Sequence, residues 1–113
     1  MGVDLNVDIE EDVVVMTPRG DLVYRTTKEL HQEWTRLVQE GNTKFILNME
    51  GVGILSSAGV RELVVLSQHV EEKGGGLCLV GLTTQATELF EVARLGRELQ
   101  IAGSVDEAKS RFA

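Results

Sequence analysis

The sequence predicts an α/β fold in which a mixed, mostly parallel sheet of four or five strands is covered by about four helices. Short β-branched and apolar runs alternate along the chain with longer amphipathic stretches of helical period. This order is typical of strands connected by right-handed crossover helices. The chain has 113 residues, of which 42% are hydrophobic, an ordinary composition for a globular domain with its own core. We therefore expect residues 1–113 to form a single domain.

The first two predicted strands form a hairpin. Apolar and polar residues alternate from Val3 to Glu10, which is typical of a strand with one face in water and places it at the edge of the sheet. A continuous apolar run follows at Val13–Thr17, and Pro18–Asp21 predicts the end of that strand.

An amphipathic helix of about four turns follows the hairpin. It begins at Thr26 or Thr27, and Gly41 ends it. Its apolar residues recur at helical spacing, so they share the face that packs on the sheet. They are Leu30, Trp34, Leu37 and Val38.

The rest of the chain repeats a strand and a helix three times. Two of the strands, at Lys44–Met49 and Leu77–Val80, are apolar runs typical of parallel strands buried on both faces, and a short final strand lies at Leu99–Ile101. The helices start where the chain can turn or cap. They comprise Gly59–Lys73, a helix capped by Thr83 or Thr84, and a closing helix that begins at Ser104 with a capping-box spacing to Glu107.

Charge and hydropathy exclude two classes of partner. The chain carries 11 basic and 18 acidic residues, a net charge of −7, and this charge opposes a phosphate backbone. No apolar run approaches the ~18 residues that cross a bilayer, and Met1–Asp12 is acidic where a secretory signal is basic. We expect a cytoplasmic protein that neither binds nucleic acid nor inserts into a membrane.

Metal and cofactor chemistry have no sequence support. His31, His69 and the single cysteine, Cys78, show no metal-ligand spacing, and we expect Cys78 to be a small buried side chain. No glycine-rich phosphate-binding motif opens a helix. We therefore expect neither a metal nor a cofactor.

Two adjacent serines, Ser56 and Ser57, stand where a buried strand gives way to a helix. This is the edge of a parallel sheet at which α/β proteins usually place functional groups. Ser57 can cap the helix, a role that contributes about 1 kcal/mol. A nucleophilic role requires a nearby base, but His69 lies roughly 18 Å further along the same helix and the G-x-S-x-G pattern is absent. We therefore do not expect an enzyme.

Phosphorylation is the third possible role of these serines. A phosphoryl group at a helix N-terminus meets free backbone N–H groups and the positive end of the helix dipole. It adds a charge of about −1.5 to −2. The domain can therefore accept a modification that repels a docked partner.

The sequence resembles the STAS domains, and among them the bacterial anti-sigma factor antagonists. The stretches that carry the resemblance span nearly the whole chain, and the central one, with its signature loop, is the most specific. They are VVVMTPRGDL, KFILNMEGVGILSSAGVRELVVL and LFEVARLGRELQIAGSVDEAKSRF.

The resemblance implies a phosphorylation switch. Aligned on Gly59, the phosphorylated serine of the family corresponds to Ser57, with Ser56 as the second choice. The unphosphorylated form is expected to bind an anti-sigma factor that is also a serine kinase, and a phosphatase is expected to restore this form. The nucleotide belongs to the kinase. The implied partner contacts are Val23, Ser56, Ser57, Ala58, Gly59, Val60 and Arg61, followed by Leu82, Thr83 and Thr84.

Two residues depart from the family pattern. Val23 stands where many members carry an aspartate, and Ser56 replaces the aspartate of the signature loop. Both changes remove a carboxylate near the expected phosphorylation site. Asp21 is two residues from Val23, and on a continuing strand it would share the same face.

Two other functions are open at this stage. A STAS module can serve another assembly, such as a stress-signalling scaffold or a lipid or anion transporter, without a phosphorylation switch. A small enzyme or nucleotide binder of unrecognised type is the third possibility. A kinase-fold partner favours the first function, whereas tight binding of a small molecule favours the third.

Overall fold

The computed structural model describes residues 2–94 and 99–112 and confirms the predicted α/β fold. In chain order the elements are β1 (Asp4–Glu10), β2 (Val13–Leu22), α1 (Tyr24–Gln39), β3 (Lys44–Asn48), β4 (Val52–Leu55), α2 (Ser57–Glu71), β5 (Gly76–Val80), α3 (Thr84–Ala93), β6 (Gln100–Ile101) and α4 (Val105–Arg111). The strand order is β1-β2-β3-β5-β6, and β4 pairs with β2 beyond the end of β3. All pairs are parallel except β1 with β2.

The predicted hairpin is confirmed, with β1 at the edge of the sheet. The strands pair in register from Asp4 opposite Arg19 to Glu10 opposite Val13. Glu11 and Asp12 connect them with positive φ angles of 51° and 66°. Two such residues match the right-handed twist of the flanking strands, as in a two-residue hairpin turn.

The predicted end of β2 at Pro18–Asp21 is wrong, because the strand continues to Leu22. Its first part, through Met16, pairs with β3, and its last part, from Gly20, pairs with β4. Pro18 falls between these two sections. A proline lacks the backbone N–H that a ladder needs, and here it occupies the gap where β2 changes neighbours.

The first helix begins at Tyr24, two to three residues before the predicted start at Thr26 or Thr27. Val23 is the N-cap residue and has no side-chain acceptor. Instead Thr26, inside the first turn, reaches back: its Oγ1 accepts from Val23 N at 3.0 Å and donates to Asp21 O at 2.6 Å. The predicted apolar face is confirmed, since all four of its residues are buried.

The second helix begins two residues before the predicted start, because Ser56 caps it, and it ends at Glu71, two residues before the predicted end. Strand β4, which precedes Ser56, was not predicted. Thr83 caps α3 by accepting from Ala86 N at 3.1 Å, and Ser104 caps α4 by accepting from Glu107 N at 3.1 Å. The Glu107 carboxylate accepts from Gly103 N rather than from Ser104, so the capping box is offset by one residue.

Apolar side chains fill both faces of the sheet. Alternate residues of the central strands point to opposite sides, so Val14 and Met16 belong to one cluster and Val13 and Val15 to the other. Helices α1, α2 and α3 cover the larger cluster and α4 covers the smaller one. The prediction that the central strands are buried on both faces is confirmed. No helix in the described residues is long and apolar enough to cross a membrane.

Cys78 is fully buried in the smaller cluster, as predicted. Burial raises the pKa of its thiol, while the nearby Arg111 guanidinium opposes the shift. The protonated, covered thiol should react with iodoacetamide at neutral pH at least about ten-fold more slowly than the thiol of the urea-unfolded chain. Mass spectrometry of timed samples measures both rates, and equal rates would contradict the burial of Cys78.

Candidate functional site

The carbonyl oxygen of Leu22, at the end of β2, joins the sheet to the start of α2. It accepts from Ser56 N at 3.0 Å and from Ser56 Oγ at 3.2 Å. The same hydroxyl oxygen accepts from Gly59 N at 3.2 Å. Ser56 is extended, with φ −97° and ψ 171°, and is the N-cap residue of α2. Its hydroxyl is therefore occupied as donor and as acceptor.

Ser57 differs from Ser56 in its position in the helix and in its hydrogen bonding. It is the first helical residue, is exposed, and has no side-chain hydrogen bond to any residue in the described part of the chain. The capping role considered for Ser57 is therefore wrong, since Ser56 fills it. The first backbone N–H groups of an α-helix have no intrahelical acceptor. An accessible hydroxyl thus lies beside unpaired N–H groups.

Close packing fixes where α2 meets the sheet. A Cβ atom on Gly59 would lie 2.7 Å from the Leu22 carbonyl oxygen and 2.8 Å from Leu55 Cδ1. Val60 is fully buried. Both residues were expected to contact a partner, but their side-chain positions lie inside the domain, so they hold α2 against the sheet and present no side chain to a docked protein.

Two residues that the sequence did not assign to the site hold the backbone before Ser56. The Gln85 amide binds Leu55 twice: Oε1 accepts from Leu55 N and Nε2 donates to Leu55 O, each at 2.8 Å. The Asp21 carboxylate accepts from Ile54 N at 3.0 Å. Asp21 is therefore committed to β4. For Gln85, the sole signal in the sequence is its place next to the expected contacts Thr83 and Thr84.

A shallow groove lies between the N-terminal halves of α1 and α2. Its volume is about 210 Å³, and Tyr24 on its rim is 83% exposed. We call it the α1–α2 groove. Its lining residues are Tyr24, Thr27, Ala58, Arg61, Glu62 and Val65.

Among the described residues around the α1–α2 groove, the carboxylate has side-chain partners and the cations do not. Glu62 Oε2 accepts from Trp34 Nε1 at 2.6 Å and lies 2.7 Å from His31 Nδ1. His31 is half exposed and contacts this carboxylate. Arg61, together with Arg25 and Lys28 on the adjoining surface of α1, forms no ion pair with any described residue. The cations on and beside the groove therefore have no carboxylate partner among the described residues.

The remaining expected contacts lie around the same edge. Val23 is half-buried and directly follows Leu22, so it neighbours the serines. Leu82 packs partly against the core and Thr83 caps α3, while Thr84 is exposed. Through Gln85, the start of α3 adjoins β4 on the side away from β2.

Comparison with known proteins identifies the family of this chain. The STAS domain family model matches residues 4–108. The chain belongs to the STAS domain family. The matched segment includes Ser56 and Ser57.

Relatives of this STAS domain share its size and fold. A Bordetella bronchiseptica protein named as a candidate anti-sigma factor antagonist, BtrV, is 22% identical and aligns with 96% of this chain and 93% of its own. A candidate anti-sigma factor antagonist from Thermotoga maritima matches with a TM-score of 0.87 at 19% identity, over 95% of this chain and 92% of that one. SpoIIAA in its unphosphorylated form, an anti-sigma factor antagonist, matches with a TM-score of 0.80 at 20% identity, over 96% of both chains.

Replacing Gly59 with alanine should destabilise this STAS domain by roughly 1–3 kcal/mol, because the added methyl group meets the Leu22 carbonyl. Without that clash, Gly→Ala inside a helix stabilises by about 0.5–1 kcal/mol. Urea unfolding measures the free-energy difference. Arg61→Ala, an exposed change on the same helix, serves as the control and should stay within about 0.5 kcal/mol of the parent. A stabilised Gly59→Ala variant would contradict the close contact.

Replacing Gln85 with alanine should free both backbone groups of Leu55. We expect a loss of about 1 kcal/mol, typical of hydrogen bonds that solvent partly replaces, and faster amide hydrogen exchange at Leu55. Exchange followed by NMR tests the prediction residue by residue. Glu88→Ala, an exposed change on the same helix, is the control. Unchanged exchange at Leu55 in the Gln85 variant would show that the side-chain amide does not hold β4.

Proposed function

We propose that this STAS domain is an anti-sigma factor antagonist, a non-enzymatic protein-binding module that is switched by phosphorylation of Ser57. In the unphosphorylated state it sequesters an anti-sigma factor in the cytoplasm and so releases a sigma factor. The observation that carries the proposal is the contrast between the two serines. Ser56 is held by the backbone at the β2–α2 junction, whereas Ser57 is exposed beside it and its side chain makes no hydrogen bond to any described residue.

Two features of the relatives support this function. BtrV and the Thermotoga maritima protein are both named as candidate anti-sigma factor antagonists. SpoIIAA from Bacillus has a structure in its phosphorylated form as well, to which this chain is similar with a TM-score of 0.73. A relative of this fold thus exists in two phosphorylation states.

The proposed docking surface is centred on the start of α2. Ser57, Ala58 and Arg61 present accessible atoms there, and Val23 and the rim of the α1–α2 groove continue the surface onto α1. A phosphoryl group on Ser57 would be tolerated by the domain, because the helix N-terminus favours negative charge. A docked partner would have to accommodate the added negative charge and the bulk of the phosphoryl group at its interface, and this opposes binding.

The proposed partner is an anti-sigma factor with serine kinase activity. It would transfer the γ-phosphoryl group of ATP to Ser57 Oγ, with cleavage of the bond to ADP and loss of the hydroxyl proton. The nucleotide and its metal would be held by the kinase, since Asp21 is bound to Ile54 N and Ser56 and Val23 carry no carboxylate. A phosphatase would reverse the modification. Leu82, Thr83 and Thr84 are proposed as peripheral contacts.

The experiment combines phosphate mapping with binding. The chain is incubated with ATP and the anti-sigma-type kinase encoded near its gene, and mass spectrometry locates the phosphate. We expect it on Ser57. Ser57→Ala should abolish phosphorylation and retain binding, while Ser57→Asp should bind at least about ten-fold more weakly, because it places a negative charge at the interface.

Ser56→Ala is the matched control. It should cost about 1 kcal/mol of stability through loss of the helix cap and leave Ser57 a substrate. Two results would contradict the proposed function. One is phosphate on Ser56 in place of Ser57, and the other is equal binding by the alanine and aspartate variants of Ser57.

A further inference from the structure

Arg61 lies on the exposed stripe of α2 that also includes Ser57 and Val65. Residues three and four positions apart are neighbours on a helix surface. The neighbours of Arg61 at these spacings are Ser57, Ala58, Val64 and Val65, and none of them is acidic. The adjacent Glu62 accepts from Trp34 instead. Arg61 therefore has no carboxylate within its own helix to bind.

Arg36 on α1 is a helical arginine that does have acidic residues three and four positions away. Its guanidinium binds Glu33 at 3.0 Å, three residues before it, and Glu40 at 2.7 Å, four residues after it. The hydrogen bond to Glu33 and the charges of both carboxylates raise the pKa of Arg36. Arg36 thus binds a carboxylate one turn away on either side of it.

The direction of helical side chains brings Arg61 and Ser57 together. Side chains on a helix lean toward its N-terminus, so a long side chain covers the turn that precedes its own Cα atom. For Arg61 that turn begins with Ser57. An anion four residues before a cation is also the more favourable order for such a pair.

We propose that Arg61 is the residue that binds the phosphoryl group on Ser57, in an ion pair that unmodified serine cannot form. This inference rests on the proposed phosphorylation of Ser57. The phosphoserine supplies at position 57 the anion that Glu33 supplies to Arg36. Ser56 cannot serve in this way, because it lies five residues from Arg61 and its hydroxyl is bound to Leu22 O.

The pair gives phosphorylation a second effect on the docking surface. The phosphate adds negative charge at Ser57, and it also draws the Arg61 guanidinium away from the α1–α2 groove that this side chain lines. A partner that needs the Arg61 cation loses it in the modified state. Arg61 thereby contributes to the difference in partner binding between the unmodified and the phosphorylated domain.

The test requires no kinase. Phosphoserine is incorporated at position 57 during translation of the full chain, and ³¹P NMR follows the second pKa of the phosphate, ordinarily about 6. The same titration is run for Arg61→Gln, for Arg61→Lys and for Arg25→Gln, which removes another unpaired exposed cation near the groove. Repeating the titrations at high salt measures screening of the exposed pair.

We expect the pKa of the phosphate to be lower in the parent chain than in Arg61→Gln by roughly half a unit, since a cation favours the dianion and solvent weakens the effect. Arg61→Lys should restore part of the shift and Arg25→Gln should leave it unchanged. The difference should shrink in high salt.

Equal phosphate pKa values in the parent and Arg61→Gln chains would overturn the inference. It would also be overturned if Arg25→Gln shifted the phosphate pKa as much as Arg61→Gln, since that result would indicate the general electrostatic field of the surface instead of a specific ion pair. These results do not depend on a partner. Failure of the kinase and binding experiments would reject the proposed function and leave the titration unaffected.

Discussion

The geometry of this site depends on the contacts that the carbonyl oxygen of Leu22 makes with the start of α2. A carbonyl oxygen has two lone pairs, and here it accepts two hydrogen bonds from Ser56 while Gly59 packs against it. Moving the start of α2 by a single residue would break both bonds and push a side chain into the space that only glycine fits. The position of Ser57 outside the junction therefore follows from contacts that Ser57 itself does not make.

Helix capping explains why two adjacent serines have different chemistry. The N-cap residue is extended, and its side chain turns back to the N–H group three residues on, while the next residue already has helical geometry and points outward. Phosphorylating Ser56 would remove the cap and the bond to Leu22 O. Phosphorylating Ser57 breaks no hydrogen bond of the described residues. The backbone thus separates a bonded, structural hydroxyl from an exposed one before any partner takes part.

Patterns that extend over one element could be predicted from the sequence, whereas contacts between distant elements could not. The alternation of strands and helices follows from the period of the apolar residues, and it is confirmed. The proline signal at Pro18 is local and carries no information that β2 changes neighbours there. The start of α1 was predicted at Thr26 or Thr27, because the sequence pattern cannot show the Thr26 side chain reaching back to Val23 N. The bonds from Gln85 to Leu55 span 30 residues and require the folded sheet edge.

The net charge of −7 does not describe the surface that a partner would meet. Charges in solution are screened beyond a Debye length of about 8 Å at physiological salt, so the residues around the α1–α2 groove dominate there. Glu62 is engaged by Trp34 and His31, and Arg25, Lys28 and Arg61 form no ion pair with any described residue. A phosphate of about −2 offsets most of this local positive charge. A switch on this surface therefore needs no change of fold, because one covalent group alters both its charge and its shape.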